Sequence, residues 1–229
     1  MQTLKLGLLG YGTVGQGVLK LLQQNRQEWQ KKTGCTVSVS AIAKRNWQGI
    51  AQPERVDCTT DTASIVRRDD VDVVIELIGG TDTAFDLVMA ALDNGKHVVT
   101  ANKALIADKG TEIFQKAAEK GLQVAFEASV AGGIPIIKAL KEGLIANEIV
   151  SVAGIINGTS NYILTAMRNE GRDFADVLAE AQALGYAEAD PTFDIEGIDA
   201  AHKLTILASI AYGIDLDFAK LSIDGISNI

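Results

Sequence analysis

Cysteine and histidine are scarce in this chain of 229 residues: Cys35 and Cys58 are its only thiols, His97 and His202 its only imidazoles. Two cysteines cannot build a disulfide framework, and no Cys or His stands near the histidines at metal-ligand spacing, which argues against metal-centred hydrolysis. Basic charge is also short. Lys and Arg number 21 against 29 Asp and Glu, a net charge of −8, so the basic face of a nucleic-acid binder is not expected. No apolar run reaches the ~18 residues that span a bilayer. The start, Met1-Gln-Thr-Leu-Lys, lacks the charged, apolar and small-residue order of a signal peptide. A cytoplasmic protein with no membrane or nucleic-acid partner is expected. The 47% of apolar and 22% of charged residues are ordinary globular usage, which argues against disorder.

From Leu4 to about Ala128, short β-branched runs alternate with amphipathic stretches. The runs Leu4–Leu9, Thr36–Ala43, Val71–Ile78, His97–Ala101 and Leu122–Phe126 predict strands; Val14–Trp29, Thr83–Asn94 and Thr111–Lys120 predict helices. Such alternation gives βαβ units and a parallel sheet. The pattern changes near residue 130, where Val130-Ala-Gly-Gly-Ile-Pro135 forms a glycine-rich turn. Beyond it we expect a helical stretch to Leu144, a strand at Ile149–Ile156, helices at Ser160–Asn169 and Phe174–Leu184, an acidic loop, and a helix over Gly197–Tyr212. The expectation is α/β: a Rossmann-type doubly wound domain over 1–130, then an α+β substrate and dimerisation domain over 131–229. Leu221–Ile229 reads as the start of another element, either a short strand or the end of a truncated chain.

Gly10-Tyr11-Gly12-Thr13-Val14-Gly15 follows the first strand and opens a helix. The first glycine permits the tight turn, the second lets the backbone approach a pyrophosphate, and the third lets helix and strand pack closely. The N–H groups and dipole of that helix N-terminus suit phosphates. NAD sites usually place a carboxylate at the end of the second strand, yet none occurs from Trp29 to Pro53. Lys44-Arg45 stands there instead, two cations suited to the extra phosphate of NADP, although NAD remains possible. Ligands of open parallel sheets sit beyond the carboxyl ends of the strands. That makes Thr100 and Lys103, in Val99-Thr-Ala-Asn-Lys103, candidates beside the nicotinamide.

The second region carries Glu188, Asp190, Asp194, Glu196 and Asp199, five carboxylates within twelve residues, followed by Lys203. Asp199 and Lys203 are four apart and share a helix face. Two readings stay open on this evidence. One is a solvated acidic loop with a surface ion pair; the other is a site that binds an ammonium group and positions a lysine.

Gly10–Gly15, Thr100-Ala-Asn-Lys-Ala-Leu105, Glu127-Ala-Ser-Val-Ala-Gly-Gly-Ile-Pro135, Asn157-Gly-Thr-Ser-Asn-Tyr162 and the run from Gly185 to Lys203 together closely resemble homoserine dehydrogenase, in order, over about residues 4–212. The resemblance implies NAD(P)-dependent interconversion of L-homoserine and L-aspartate 4-semialdehyde in threonine and methionine biosynthesis. It puts Lys203 on the family's proton donor and Lys103 on its second active-site lysine. Glu188 and Asp199 fall on substrate-binding carboxylates, Thr159, Tyr186 and Asp194 on neighbouring pocket positions, and Gly185 on a cofactor contact. Glu127, Val130, Gly132 and Ile134 fall on a sodium site, whose carbonyl and carboxylate oxygens suit a hard cation. Family members continue beyond this point, and their substrate domain supplies a dimer interface. A homodimer through the Ile149–Ile156 strand is therefore expected. Two other readings of the residues are a different small amino-acid dehydrogenase on the same scaffold and a cofactor-binding sensor without catalysis.

Overall fold

The structure, a computed structural model, describes residues 3–229. It divides at Gly132/Gly133 into two compact units.

The first unit is a parallel sheet covered on both faces. Its strands are β1 (Thr3–Leu9), β2 (Thr36–Ala43), β3 (Asp57–Thr59), β4 (Val73–Glu76), β5 (His97–Thr100) and β6 (Val124–Ala125), in the spatial order β3-β2-β1-β4-β5-β6. All pairings are parallel. That order reverses direction between β1 and β4, the switch point where a doubly wound sheet opens a ligand crevice. Alternate residues of the strands feed two separate cores, because successive side chains of a strand point to opposite faces. Leu9, Ala41, Ala43 and Val74 pack with α3 (Thr62–Val66), α4 (Asp82–Asp93) and α5 (Lys103–Lys120). Leu6, Leu8, Ile42, Val73 and Ile75 pack with Leu19 of α1 (Thr13–Gln24). Burial on both faces explains why these strands read as continuous apolar runs.

Three local differences from the sequence expectation have physical causes. The stretch expected as one helix over Val14–Trp29 is two: α1 ends at Asn25, and α2 runs over Arg26–Thr33. The Asn25 amide competes for the Leu21 carbonyl at 3.0 Å, as short polar side chains do at helix ends. Helix α5 starts at Lys103 rather than Thr111, because Asn102 Oδ1 accepts from the Leu105 amide at 3.1 Å and caps it. Strand β3 is short and polar, and so gave no periodic signal.

The second unit is built on helices: α6 (Ile136–Lys138), which runs on into one wide turn over Ala139–Gly143, then α7 (Gly158–Glu170), α8 (Phe174–Ala183), α9 (Thr192–Ile195) and α10 (Ile198–Tyr212). Ile163 and Ala166 of α7, Val177 and Ala181 of α8, and Ala187 form one buried cluster of this unit. Ile149–Ile156 is not a strand but irregular chain, with Val150 and Ile155 exposed. A strand needs a neighbour for its N–H and C=O groups, and among the described residues no strand pairs with this segment. The expected sheet at the dimer interface is therefore not formed by these residues. Leu221–Ile229 is irregular as well.

Candidate active site

In the first unit the switch-point crevice is a cleft of about 560 Å³. It is lined by Gly10 and Gly12 after β1, Lys44 and Arg45 after β2, and Leu77 and Ile78 after β4. Gly10 has φ +109°, and a Cβ there would meet the Leu77 carbonyl oxygen at 2.6 Å. A Cβ on Gly15 would overlap the carbonyl oxygen of Gly10. Both positions therefore require glycine for the turn itself. Gly12 differs: a Cβ there would meet nothing within 4 Å. Its bare backbone faces open space at the N-cap of α1, which no side chain caps. The first-turn amides, with Thr13 and Val14 exposed beside them, thus remain available to a ligand. A glycine with room on its outer side next to uncapped donors fits a pyrophosphate.

Lys44 is half-buried and Arg45 exposed, directly after the last residue of β2. The loop they begin is pinned by Trp47, whose indole donates to the Thr59 carbonyl at 2.9 Å and whose ring packs 5.5 Å from that of Tyr11. Burial raises the Tyr11 hydroxyl above its ordinary pKa, with Cys58 adding to the shift. Thr100 lies at the end of β5 with its side chain buried and turned to Glu76, so the hydroxyl is not directed outward. Lys103 opens α5 at the same edge of the sheet.

In the second unit a polar cluster joins the start of α7 to α9 and α10. The amide of Asn157 donates to Asp194 Oδ1 at 2.7 Å and to Asp199 Oδ2 at 2.8 Å. Lys203 Nζ donates to the same Asp199 oxygen at 2.6 Å and to the Ile156 carbonyl at 2.7 Å. The Asp199 and Lys203 side chains are 8% and 19% exposed, so this is not the solvated surface pair of one sequence reading. Asn157 also caps α7, its Oδ1 accepting from the Ser160 amide at 2.8 Å, and Ser160 Oγ donates to the Asp194 carbonyl at 3.0 Å. Thr159 Oγ1 donates to the carbonyl of Tyr186 at 2.7 Å, and the Tyr186 ring lies 5.0 Å from Tyr162. Tyr162 in turn donates to Glu180, which holds that carboxyl below the usual range and raises the phenol.

The comparisons with known proteins cover both units. A sequence profile described as "Homoserine dehydrogenase, NAD binding domain" matches residues 10–127, and one described as "Homoserine dehydrogenase" matches 135–229. The chain belongs to the homoserine dehydrogenase family. It is 58% identical over 229 residues to homoserine dehydrogenase of Pseudomonas aeruginosa, covering 100% of this chain and 53% of that protein. With the Bacillus subtilis homoserine dehydrogenase the identity is 44% over 232 residues, again covering 53% of that protein. The crystal structure of a homoserine dehydrogenase from Thiobacillus denitrificans superposes with a TM-score of 0.94 at 55% identity, over 100% of this chain and 53% of that one. A hyperthermophilic archaeal homoserine dehydrogenase in complex with NADPH superposes at 0.80 with 28% identity, over 93% and 71% of the two chains. The chain thus spans about half the length of the curated homoserine dehydrogenases it matches.

Within this family frame, the structure brings together Asp194, Asp199 and Lys203, and separately Thr159 and Tyr186. The Glu188 carboxylate is exposed and makes no hydrogen bond or ion pair among the described residues. Gly185 takes φ +77° in the turn after α8. Glu127 and Val130 flank a single tight turn, and Gly132 follows Ala131, which has φ +50°. The Ile134 carbonyl accepts from the Ile136 amide at 2.8 Å. Among the described residues no group of three His, Cys, Asp or Glu side chains is placed to hold a metal. Sequence reasoning assigned no role to Asn157, the hub of the cluster, or to Glu76. The signal for Asn157 was the Asn-x-x-Ser spacing of an N-cap. For Glu76 it was a lone carboxylate ending an apolar strand.

Proposed function

We propose that the whole protein is a homoserine dehydrogenase that prefers NADP and interconverts L-aspartate 4-semialdehyde and L-homoserine. One observation carries the reading: a half-buried lysine held by two fixed acceptors, Asp199 and the Ile156 carbonyl, in a chain of this family. An ammonium has three N–H donors, so this arrangement leaves one hydrogen of Lys203 Nζ for a substrate oxygen. A reduced nicotinamide, when bound, would supply a hydride for the aldehyde carbon. The carbonyl oxygen would gain alkoxide character, and the role of Lys203 is to give that oxygen a proton, completing the alcohol. Asp199 orients Lys203, while Asn157 holds Asp199 and Asp194 in one arrangement. The remaining carboxylate capacity of this cluster, with Glu188, takes the substrate ammonium, and Lys103 is assigned the second cation.

Lys44 and Arg45, with no carboxylate at the end of β2, support NADP over NAD. A sodium ion is part of the proposal: Glu127 and the carbonyls of Val130, Gly132 and Ile134 are an all-oxygen donor set, as hard cations require. An acylating semialdehyde dehydrogenase is disfavoured. Burial and neighbouring Asp57 raise the Cys58 thiol, which suppresses the thiolate such chemistry needs. The whole protein is further proposed to dimerise through the second unit, where Val150 is 89% and Ile155 78% exposed. Light scattering that finds a monomer at tens of micromolar would end that part.

The test of function is NADP-linked oxidation of L-homoserine by the full-length protein, beside L-aspartate and L-serine as substrates. Turnover with L-homoserine alone supports the reading. Cofactor binding without any turnover would make the protein a sensor instead.

A further inference from the structure

Glu76 is wholly buried at the end of β4, at 0% exposure, and none of the chemistry above uses it. A carboxylate out of water is costly unless each oxygen finds donors. Here they do. Oε1 accepts from the amides of Ile78 at 2.8 Å and Gly79 at 3.4 Å. Oε2 accepts from the Thr100 hydroxyl at 2.6 Å, the short distance of a bond to a charged acceptor. The two residues are register partners on neighbouring strands. The Thr100 oxygen itself accepts from the Asn102 amide at 3.0 Å, and Asn102 Nδ2 donates to the Gly80 carbonyl at 2.6 Å. The path from Glu76 through Ile78–Gly80, Asn102 and Thr100 closes back on Glu76. It is a ring across the carboxyl ends of β4 and β5, with the cap of the helix that begins at Lys103 as one member.

We infer that Glu76 is a positioning residue of the cofactor crevice: through this ring it holds the Leu77–Gly80 turn and the Asn102–Lys103 helix start as one rim. An apolar pair would tie β4 to β5 equally well if only the sheet needed joining. The charge is spent on the Thr100 hydroxyl at the end of β5 and on the turn amides of Ile78 and Gly79, which lie beyond the sheet where Leu77 and Ile78 line the crevice. A glutamine is nearly isosteric but keeps one acceptor oxygen. If its amide nitrogen faces Thr100, that hydroxyl receives donors from both the glutamine and the Asn102 amide and its own proton loses its acceptor; if the nitrogen faces the turn, the Ile78 and Gly79 amides lose theirs. Thr100→Val opens the ring at the same point, whereas Thr100→Ser preserves it.

The test compares full-length Glu76→Gln, Thr100→Val and Thr100→Ser with the parent, and its activity arm rests on the proposed function. In Glu76→Gln the amides of Ile78, Gly79 and Asn102 should exchange hydrogen about tenfold faster or more, while Val74 and Ile75 within β4 are unchanged. Turnover of L-homoserine should fall ~10–100-fold, the scale of a reacting-atom misplacement near 1 Å, with the NADP+ dissociation constant changed about threefold or less. The primary isotope effect with 4-deuterated L-homoserine should rise, which loss of folded protein alone would not produce. Thr100→Val should match Glu76→Gln, the double variant should be no worse than either single one, and Thr100→Ser, which keeps the hydroxyl, should keep the parental exchange of Ile78, Gly79 and Asn102. Unchanged amide exchange overturns the inference. So does faster exchange with parental turnover, or lost turnover with an unchanged isotope effect. If the parent does not oxidise L-homoserine, the functional reading fails, and amide exchange still decides the matter. NADP+ should then protect Ile78 and Gly79 in the parent and not in Glu76→Gln; equal protection in both overturns the inference.

Discussion

Lys203 and Asp199 meet at 2.6 Å across one turn of α10, and the carboxylate oxygen that receives the lysine also receives Asn157 at 2.8 Å. One oxygen thus links the helix that carries the proposed acid to the cap of α7.

Replacing Asp199 by Ala should therefore do two things. It leaves a mostly buried ammonium without its counter-charge, a loss of about 3 kcal/mol by comparison with other broken buried pairs. It also frees Lys203 to rotate, so turnover of L-homoserine by the full-length protein should fall ~10²-fold or more. Thermal unfolding and steady-state kinetics on one preparation separate these effects. Parental stability together with parental turnover would show that the pair carries neither role.

Cofactor choice rests on Lys44 and Arg45. The parent should bind NADP+ more tightly than NAD+. A single charge-assisted phosphate contact contributes about 1.5–3 kcal/mol, so Lys44→Ala or Arg45→Ala should weaken NADP+ roughly 10–150-fold while leaving NAD+ nearly unchanged. Equal affinities in the parent, or unaltered NADP+ binding in both variants, would contradict the assignment.

The glycines of the first loop should separate by role. Gly12→Ala adds a methyl group into open space, so the melting temperature should stay near the parent value while cofactor affinity drops through steric conflict with the pyrophosphate. Gly10→Ala faces both φ +109° and the Leu77 carbonyl, so it should destabilise the first unit itself. A Gly12→Ala variant with parental cofactor affinity would remove the pyrophosphate from this loop.

What could be read in the sequence follows the range of the interaction responsible. The Gly10–Gly15 loop and strand β2 were legible because turn geometry and two-sided burial act over a few residues. The Asp199–Lys203 pair was legible as a shared helix face, but its burial was not. Asn157 escaped notice because its acceptors lie 37 and 42 residues away. Ile149–Ile156 shows the opposite failure: β-branched residues carry propensity, yet no described neighbour offers a ladder, and the segment stays irregular. Glu76 resembled an ordinary strand-end charge, since nothing local announces that Thr100 will stand opposite it.

The central claim is that Lys203 delivers the proton, and Lys203→Met in the full-length protein tests it most directly. Methionine keeps much of the side-chain volume and removes the ammonium. General acid catalysis contributes about 10²–10⁴-fold, so the NADP-linked rate with L-homoserine should fall by that order while NADP+ still binds with parental affinity. A variant that folds, binds NADP+ and turns over L-homoserine at near the parent rate would contradict the account.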